Sequence, residues 1–380
     1  MSFRNVSVEL TNALEKGVKQ SQGIFFTPKE ARDRTIGVVK NLCPNPSTIL
    51  EPSFGSGEFL EDLYMTFPTS TITGVELNPT LFASCSRPNI HHMDFLDYTG
   101  KHDVIVGNPP YFVMKKTDDT ELCQTGRPNI FVQFLFKALT TNLNPNGILA
   151  FVLPTSFFNC AYYEKMRKWM CLNVTVTNVE KLQGDYLETQ QDTFLLVVQN
   201  RRPTQEQPFF FYAAERVYIS PSYIELAELA KGCSTLAKLG CTVKTGDVVW
   251  NQEKEKLAES GTLLIYSSNI TSDSLTLGNL KPPKHQYIRG FTRMPLSGKA
   301  ILISRGYGNS KYVLNPVLVE HESFYCENHV NVIRAKNETI LPSILKSLRS
   351  ERTRKFIELF VGNGALSKTE LETCLPIALD

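Results

Sequence analysis

The sequence predicts an α/β protein: a doubly wound, mostly parallel sheet followed by a smaller, mixed α+β domain. Three observations predict it. Short apolar runs alternate with helical patterns through the first 200 residues, and each of the first four runs ends at or just before a polar residue or a glycine turn. A polar, proline-containing stretch without apolar periodicity, Gln199–Pro208, then breaks the chain. Beyond it, short strand and helix patterns mix without regular alternation. The boundary therefore falls at residues 1–200 and 201–380.

The elements follow in order. Val8, Leu10, Leu14 and Val18 predict one amphipathic helix over residues 1–20, and a second helix covers Lys29–Asn41. Strands are expected at Thr48–Glu51, Thr71–Glu76, Asn89–His92 and Asp103–Gly107, with helices at Gly57–Thr66 and Thr80–Cys85 between them. Parallel strands joined by helices place a ligand crevice at their C-terminal ends. Phe131–Asn142 is a helix with an apolar stripe, Gly147–Pro154 a buried strand and Tyr162–Cys171 another helix. Val174–Leu182 and Thr193–Gln199 read as a closing antiparallel pair.

The strand ends carry the chemistry. Ile49-Leu50-Glu51-Pro52-Ser53-Phe54-Gly55-Ser56-Gly57 runs from a strand into a glycine turn and a helix start, where backbone comes close to a ligand and N–H groups are free. Glu76 ends the next strand 25 residues after Glu51, near the roughly 20-residue spacing at which a carboxylate meets ribose hydroxyls. Asp94 and Phe95 pair an acceptor with an aromatic face, which suits an adenine ring. Asn108-Pro109-Pro110-Tyr111 follows the apolar run Val104–Val106. An exocyclic amine on an aromatic ring is a poor nucleophile, because its lone pair is delocalised. Two acceptors facing its N–H groups localise that pair. The Asn108 amide oxygen and the Pro109 carbonyl can supply them, and Tyr111 can supply a face for the ring. Each residue has a plainer alternative: the tetrapeptide as a strand-ending turn, Phe95 as core, Asp94 as a turn former, Glu76 as a strand-end charge.

Glu51, Glu76, Asp94 and Asn108, taken in that order, resemble motifs I to IV of the S-adenosylmethionine-dependent amino-methyltransferases. Gly23-Ile24-Phe25-Phe26-Thr27-Pro28 resembles motif X, which closes over the methionine end of that cofactor. The motif order and the long C-terminal region resemble the gamma class of DNA adenine-N6 methyltransferases of type II restriction–modification systems. The likeness is strong over about residues 20 to 200 and weaker beyond.

The resemblance implies a Rossmann-like methyltransferase domain that binds S-adenosylmethionine through Thr27, Glu51, Gly55, Gly57, Glu76, Asp94, Phe95, Asn108 and Pro109. It implies a target adenine flipped from duplex DNA, engaged by Asn108, Pro109, Pro110 and Tyr111. A second stacking face would come from Tyr186, one position from where the family's aromatic is expected; the alternative is that Tyr186 packs in a surface loop. No metal is required, since the methyl group is already activated on a sulfonium, and no dedicated base, since the methylated ammonium loses its proton readily. The C-terminal half would recognise the target, with Lys244, Lys284, Arg305, Tyr307 and Asn363 as candidate DNA contacts; ordinary turns are the alternative for each loop. The partner is double-stranded DNA. A cognate restriction endonuclease would act on the same site without forming a complex, and a monomer fits a reader that modifies one strand at a time.

Composition agrees. The net charge of the 380 residues is +2, but residues 1–200 hold 17 Lys+Arg against 20 Asp+Glu and residues 201–380 hold 23 against 18, so the second half is the better polyanion surface. Nine cysteines without a Cys-x-x-Cys pair point to reduced thiols and a cytoplasmic setting and argue against a structural zinc site. No segment approaches the roughly 20 apolar residues of a membrane span, and the N-terminus lacks an apolar signal core. His91 and His92 read as structural or solvated. Two further readings stay open: methylation of another planar amine, in RNA adenine or protein glutamine, and a non-catalytic DNA-specificity subunit. The basic C-terminal half stands against the protein-glutamine reading, and the complete motif set against the non-catalytic one.

Overall fold

The computed structural model describes residues 3–183, 186–187, 192–213, 215–271, 274–278, 280–305, 313–361 and 366–379. The chain forms two compact units, Met1–Tyr212 with Arg216–Tyr223, and Ala213–Glu215 with Ile224–Asp380. The first unit opens with α1 (Asn5–Ala13), α2 (Lys16–Gln22) and α3 (Lys29–Leu42). Next come β1 (Thr48–Glu51), α4 (Glu58–Thr66), β2 (Thr71–Glu76), α5 (Pro79–Ala83), β3 (Ile90–His92) and β4 (His102–Gly107). It continues with α6 (Asp118–Cys123), α7 (Ile130–Lys137), β5 (Leu143–Pro154), α8 (Glu164–Asn173), β6 (Thr175–Lys181) and β7 (Thr193–Gln199).

These strands make one sheet in the order β3-β2-β1-β4-β5-β7-β6. The pairs from β3 to β5 are parallel, and β7 runs antiparallel to both β5 and β6. This is the doubly wound, mostly parallel sheet that the sequence predicts. Both faces are covered, which explains the near-continuous apolar runs of its central strands. Alternate residues serve opposite faces. Leu50, Ile105 and Phe151 join Phe131 and Leu135 of α7 and Met166 of α8 in one core. Ile49, Val104 and Val152 join Ile36 of α3 and Leu60 of α4 in the other. The chain leaves β1 for β2 and β3 on one side, then crosses to β4 on the other. The crevice at this switch point lies between the C-terminal ends of β1 and β4, and there Glu51 and Gly107 end their strands.

Two expectations need correction. The predicted N-terminal helix is two helices, separated by extended Leu14 and Glu15. Val8, counted in its apolar stripe, is 41% exposed, whereas Ser7 is fully buried and donates its hydroxyl to Glu58. A polar tether rather than an apolar face anchors α1. The helix expected over Phe131–Asn142 starts at Ile130, where Asn129 caps it, and its last turn widens into a π-type turn over Ala138–Asn142.

The polar stretch 199–208 lies within the first unit, and the division between units comes after it, between residues 212 and 224. Gln207 accepts from Val176 N at 2.8 Å and donates to Cys171 O at 2.7 Å, which binds the stretch to the sheet domain. Arg167, fully buried, donates to Val217 O at 2.6 Å and holds the strand Arg216–Ile219 to the same unit. The second unit has a seven-stranded sheet in the order Cys241–Thr245, Val330–Ala335, Leu296–Ser304, Pro316–Cys326, Thr262–Ile265, Tyr287–Ile288 and Leu257–Ala258. Its helices include Leu341–Leu348 and Glu351–Phe360, so it is a mixed α+β body.

Candidate active site

A cavity of about 140 Å³ sits at the C-terminal ends of the parallel strands, walled by Gly55, Glu76, Asp94, Phe95, Asn108 and Phe134 among others. Glu76 is 8% exposed and its two oxygens accept from Gly55 N at 2.9 Å and Asn78 N at 2.8 Å. Burial nevertheless pushes its carboxyl above the usual range. Asp94 caps the turn that follows β3 by accepting from Leu96 N at 2.8 Å. Phe95 is 1% exposed and packs on Phe134 with ring centres 4.7 Å apart, so it is both core and cavity wall.

Glu51 lies behind this wall. It is 1% exposed, and the Ser53 backbone N–H faces its carboxylate without closing a well-formed hydrogen bond. Burial raises its pKa well above the ordinary value, and the charge of Glu76 adds to the effect. Gly107 makes room for it, since a Cβ there would lie 2.4 Å from Glu51 Oε1. Gly57 has φ +80° and stands before the first turn of α4. Gly55 reaches the cavity; Gly57, Thr27, Glu51 and Pro109 are not among its walls, whereas Pro110 is.

The Asn108 amide is held at both ends. Its Nδ2 donates to Phe25 O at 3.3 Å and Thr27 Oγ1 at 3.0 Å. A backbone carbonyl only accepts, so the atom facing Phe25 is the nitrogen and Oδ1 points the other way. That oxygen accepts from the Tyr111 hydroxyl, which also lies 2.7 Å from Val152 O. Tyr111 thus turns its hydroxyl inward, with its ring edge-to-face on Phe131 at 5.8 Å. Burial raises the phenol's pKa well above its ordinary value, with a smaller push from the nearby Tyr186.

Gly23 brings the loop before α3 onto this turn. It has φ +63°, and a Cβ there would lie 2.5 Å from Tyr111 N. Gly23→Ala should therefore cost about 1–3 kcal/mol of stability. Chemical denaturation tests this, and an unchanged unfolding midpoint would show that the two loops part freely.

Tyr186 closes a small cavity with Thr11, Lys19, Phe25, Phe26 and others, and its hydroxyl lies 2.9 Å from Thr193 Oγ1. Phe25 and Phe26 line both cavities. The structure thus gathers Thr27, Asn108, Tyr111 and Tyr186 around one loop. Sequence reasoning missed Gln22, whose Oε1 accepts from Asn78 Nδ2 at 2.8 Å beside the cavity, and the wall residues Leu81, Phe112, Ile130 and Phe134. The Asn78-Pro79 helix start, with its N-cap side chain and proline at the first position, was a readable sign that the β2 end is built with care.

In the second unit Lys244 is exposed and lines a cavity with Thr242, Asp247, Arg334 and Lys336. Arg305 is exposed and donates to Asn328 O at 3.3 Å. Lys284 has its Nζ 4.6 Å from the Trp250 ring centre and 4.9 Å from that of Tyr266, so its cation rests on two aromatic faces. Tyr307 and Asn363 lie outside the described residues. His92 stacks on Phe82 and meets Leu77 O at 3.1 Å. Among the described residues no group of three His, Cys, Asp or Glu side chains is placed to hold a metal, and no helix is long and apolar enough to cross a membrane.

Comparison with known proteins places this geometry. Residues 75–186 match the family model described as Eco57I restriction-modification methylase. The chain is 30% identical over 385 aligned residues to Modification methylase CviBIII of Paramecium bursaria Chlorella virus NC1A, covering 98% of each chain. It is 30% identical over 380 residues to Type II methyltransferase M.CvrRI of Paramecium bursaria Chlorella virus XZ-6E, covering 96% of this chain and 97% of that one. Type II methyltransferase M.VspI of Vibrio sp. (strain 343) is 31% identical over 187 residues, covering 44% of this chain and 46% of that one. With such identity sustained over nearly its whole length, the chain belongs to the type II restriction–modification methylase family.

Proposed function

We propose that this chain is a gamma-class, site-specific DNA methyltransferase that moves the methyl group of S-adenosylmethionine to the N6 amine of an adenine flipped out of duplex DNA. It would be the modification half of a restriction–modification system, with catalysis in the first unit and target recognition in the second. The observation that carries the reading is the Asn108 amide, fixed with its oxygen away from Phe25, at the end of β4 beside an acid-lined cavity.

The donor set fits the cofactor. Glu76 and Asp94 lie in the wall where ribose hydroxyls and an adenine amine would need acceptors, and Phe95 offers an apolar face. Glu51 lies behind Glu76, and a ligand bearing sulfonium and ammonium charges would draw this pair of buried carboxyls toward their ionised forms. S-adenosylmethionine supplies an electrophilic methyl group. The chain's own part is to place the amine. Asn108 Oδ1 and the Pro109 carbonyl accept its two N–H groups, Tyr111 and Tyr186 hold the ring, and proximity does the rest. The proton leaves to Asn108, Pro109 or water. Lys244 and Arg305 would meet the DNA backbone. Lys284, engaged by Trp250 and Tyr266, is better suited to shaping its loop than to a phosphate.

Tritiated methyl transfer to unmethylated duplex DNA, with nucleoside analysis, tests the reading. N6-methyladenine that is lost in Asn108→Ala is the expected result. Label in RNA or protein instead, or cofactor binding without transfer, would replace it with one of the two other readings.

Glu51 adds a pH test. Its folded-state pKa is raised, so the stability it permits is complete below its unfolded pKa and is lost as pH rises through the folded value. A cationic ligand favours the ionised form, so cofactor affinity should rise with pH across that window. Glu51→Gln should raise the melting temperature at neutral pH by ~2 °C or more and flatten the pH dependence of cofactor affinity. Thermal unfolding checks the first and calorimetric titration at several pH values the second; a variant that keeps the wild-type pH slope would remove Glu51 from the cofactor site.

A further inference from the structure

The geometry points to the Tyr111 hydroxyl as a placeholder for the target amine. In this structure the hydroxyl donates to the oxygen of Asn108 that the target N–H needs, so Tyr111 occupies the acceptor until the base arrives. The inference rests on the reading of Asn108 as the amine's acceptor.

Three observations carry it. First, the orientation of the Asn108 amide is set by Phe25 O and Thr27, which leaves Oδ1 facing Tyr111. Second, the hydroxyl meets two acceptors, Asn108 Oδ1 and Val152 O. A phenol has one proton, so it satisfies one acceptor well and the other poorly. An incoming N–H resolves this conflict: it takes over Asn108 and leaves the hydroxyl's proton to another partner. Third, Val152 is the first residue of β5 past the end of β4, where Gly107 pairs with Phe151. The contact therefore sits at the mouth of the crevice, and Tyr111 must give it up to present its ring to a base. The hydroxyl occupies the acceptor before the base arrives, and each binding event pays for its release.

Tyr111→Phe keeps an aromatic face and deletes the hydroxyl. Asn108 then loses its internal donor, while it still receives the target's N–H. Transfer from tritiated S-adenosylmethionine to unmethylated plasmid DNA should show kcat/KM raised by about three- to tenfold, the worth of one net hydrogen bond. The apparent melting temperature should fall at the same time. A merely structural hydroxyl would lower both, and a hydroxyl acting in the chemistry would lower kcat; a kcat/KM at or below wild type overturns the proposal. If the wild-type chain labels no adenine, the reading of Asn108 fails separately. The placeholder contact is then read without DNA, from the carbon-13 resonance of Asn108 Cγ, which must move when the hydroxyl is deleted; an unmoved resonance overturns it.

Discussion

Asn108→Ala should lower kcat for methyl transfer by roughly 10²–10³-fold, the scale seen when one preorganised hydrogen-bond group facing a reacting centre is removed. The loss is large because Asn108 is oriented before the substrate arrives, by Phe25 O and Thr27 Oγ1. Truncation removes an acceptor and leaves Phe25 O without its donor. Asn108→Asp separates the two effects. It keeps an acceptor, but its second oxygen would face the Phe25 carbonyl, where two acceptors repel. The aspartate variant should therefore lose nearly as much activity as the alanine variant. Single-turnover rates at saturating cofactor and DNA measure this directly. An aspartate variant with more than about a tenth of wild-type activity would show that amide orientation is not what the loop before α3 provides.

Strands were the most legible part of the chain. Thr48–Glu51, Thr71–Glu76 and Thr193–Gln199 have the bounds their apolar runs predict, because each is buried on both faces and ends at a polar or glycine turn. The parallel, doubly wound character also follows from alternation, whereas the strand order is read from the structure. What escaped was long-range and polar. Ser7 reaches Glu58 across 51 residues, and Asn78 reaches Gln22 across 56, with no local signal in either segment. Lys284 read as a candidate DNA contact in a basic loop, but its cation rests on the rings of Trp250 and Tyr266. Of the site, the residue types were legible from motifs, while the placement of Thr27 and Tyr186 beside Asn108 and Tyr111 is seen only in the fold. The direction of the Tyr111 hydroxyl was not legible either, since it depends on a β5 carbonyl 41 residues away.

Arg32 is the clearest case of a residue whose position gave no warning. In sequence it is one more charge in the polar pattern of α3, yet it is 2% exposed. Its guanidinium pairs with Glu58, donates to Asp62 Oδ2 at 2.7 Å and donates to Thr27 O at 2.5 Å. Glu58 in turn accepts from Ser7 and from Arg4 N. One planar fork thus ties α1, α3, α4 and the loop that carries Thr27. Arg32→Met should destabilise the first unit by about 3–5 kcal/mol, because it strands the Glu58 carboxylate, 4% exposed, and leaves Asp62, 8% exposed, only Arg4 at 4.0 Å as a counter-charge. Lysine cannot replace the fork and should recover only part of the loss. Replacing Arg32, Glu58 and Asp62 together by apolar residues of similar volume should return most of the stability, since a buried ion cluster is weak net stabilisation once its desolvation is counted. The triple variant should not return activity in proportion: Thr27 O would have lost its anchor, and Thr27 orients Asn108. Denaturant unfolding alongside single-turnover kinetics separates the two effects. An Arg32→Met protein within about 1 kcal/mol of wild type would mean the carboxylates find water or protons in place of the guanidinium. A stable triple variant with wild-type turnover would mean that Asn108 does not depend on this network for its orientation.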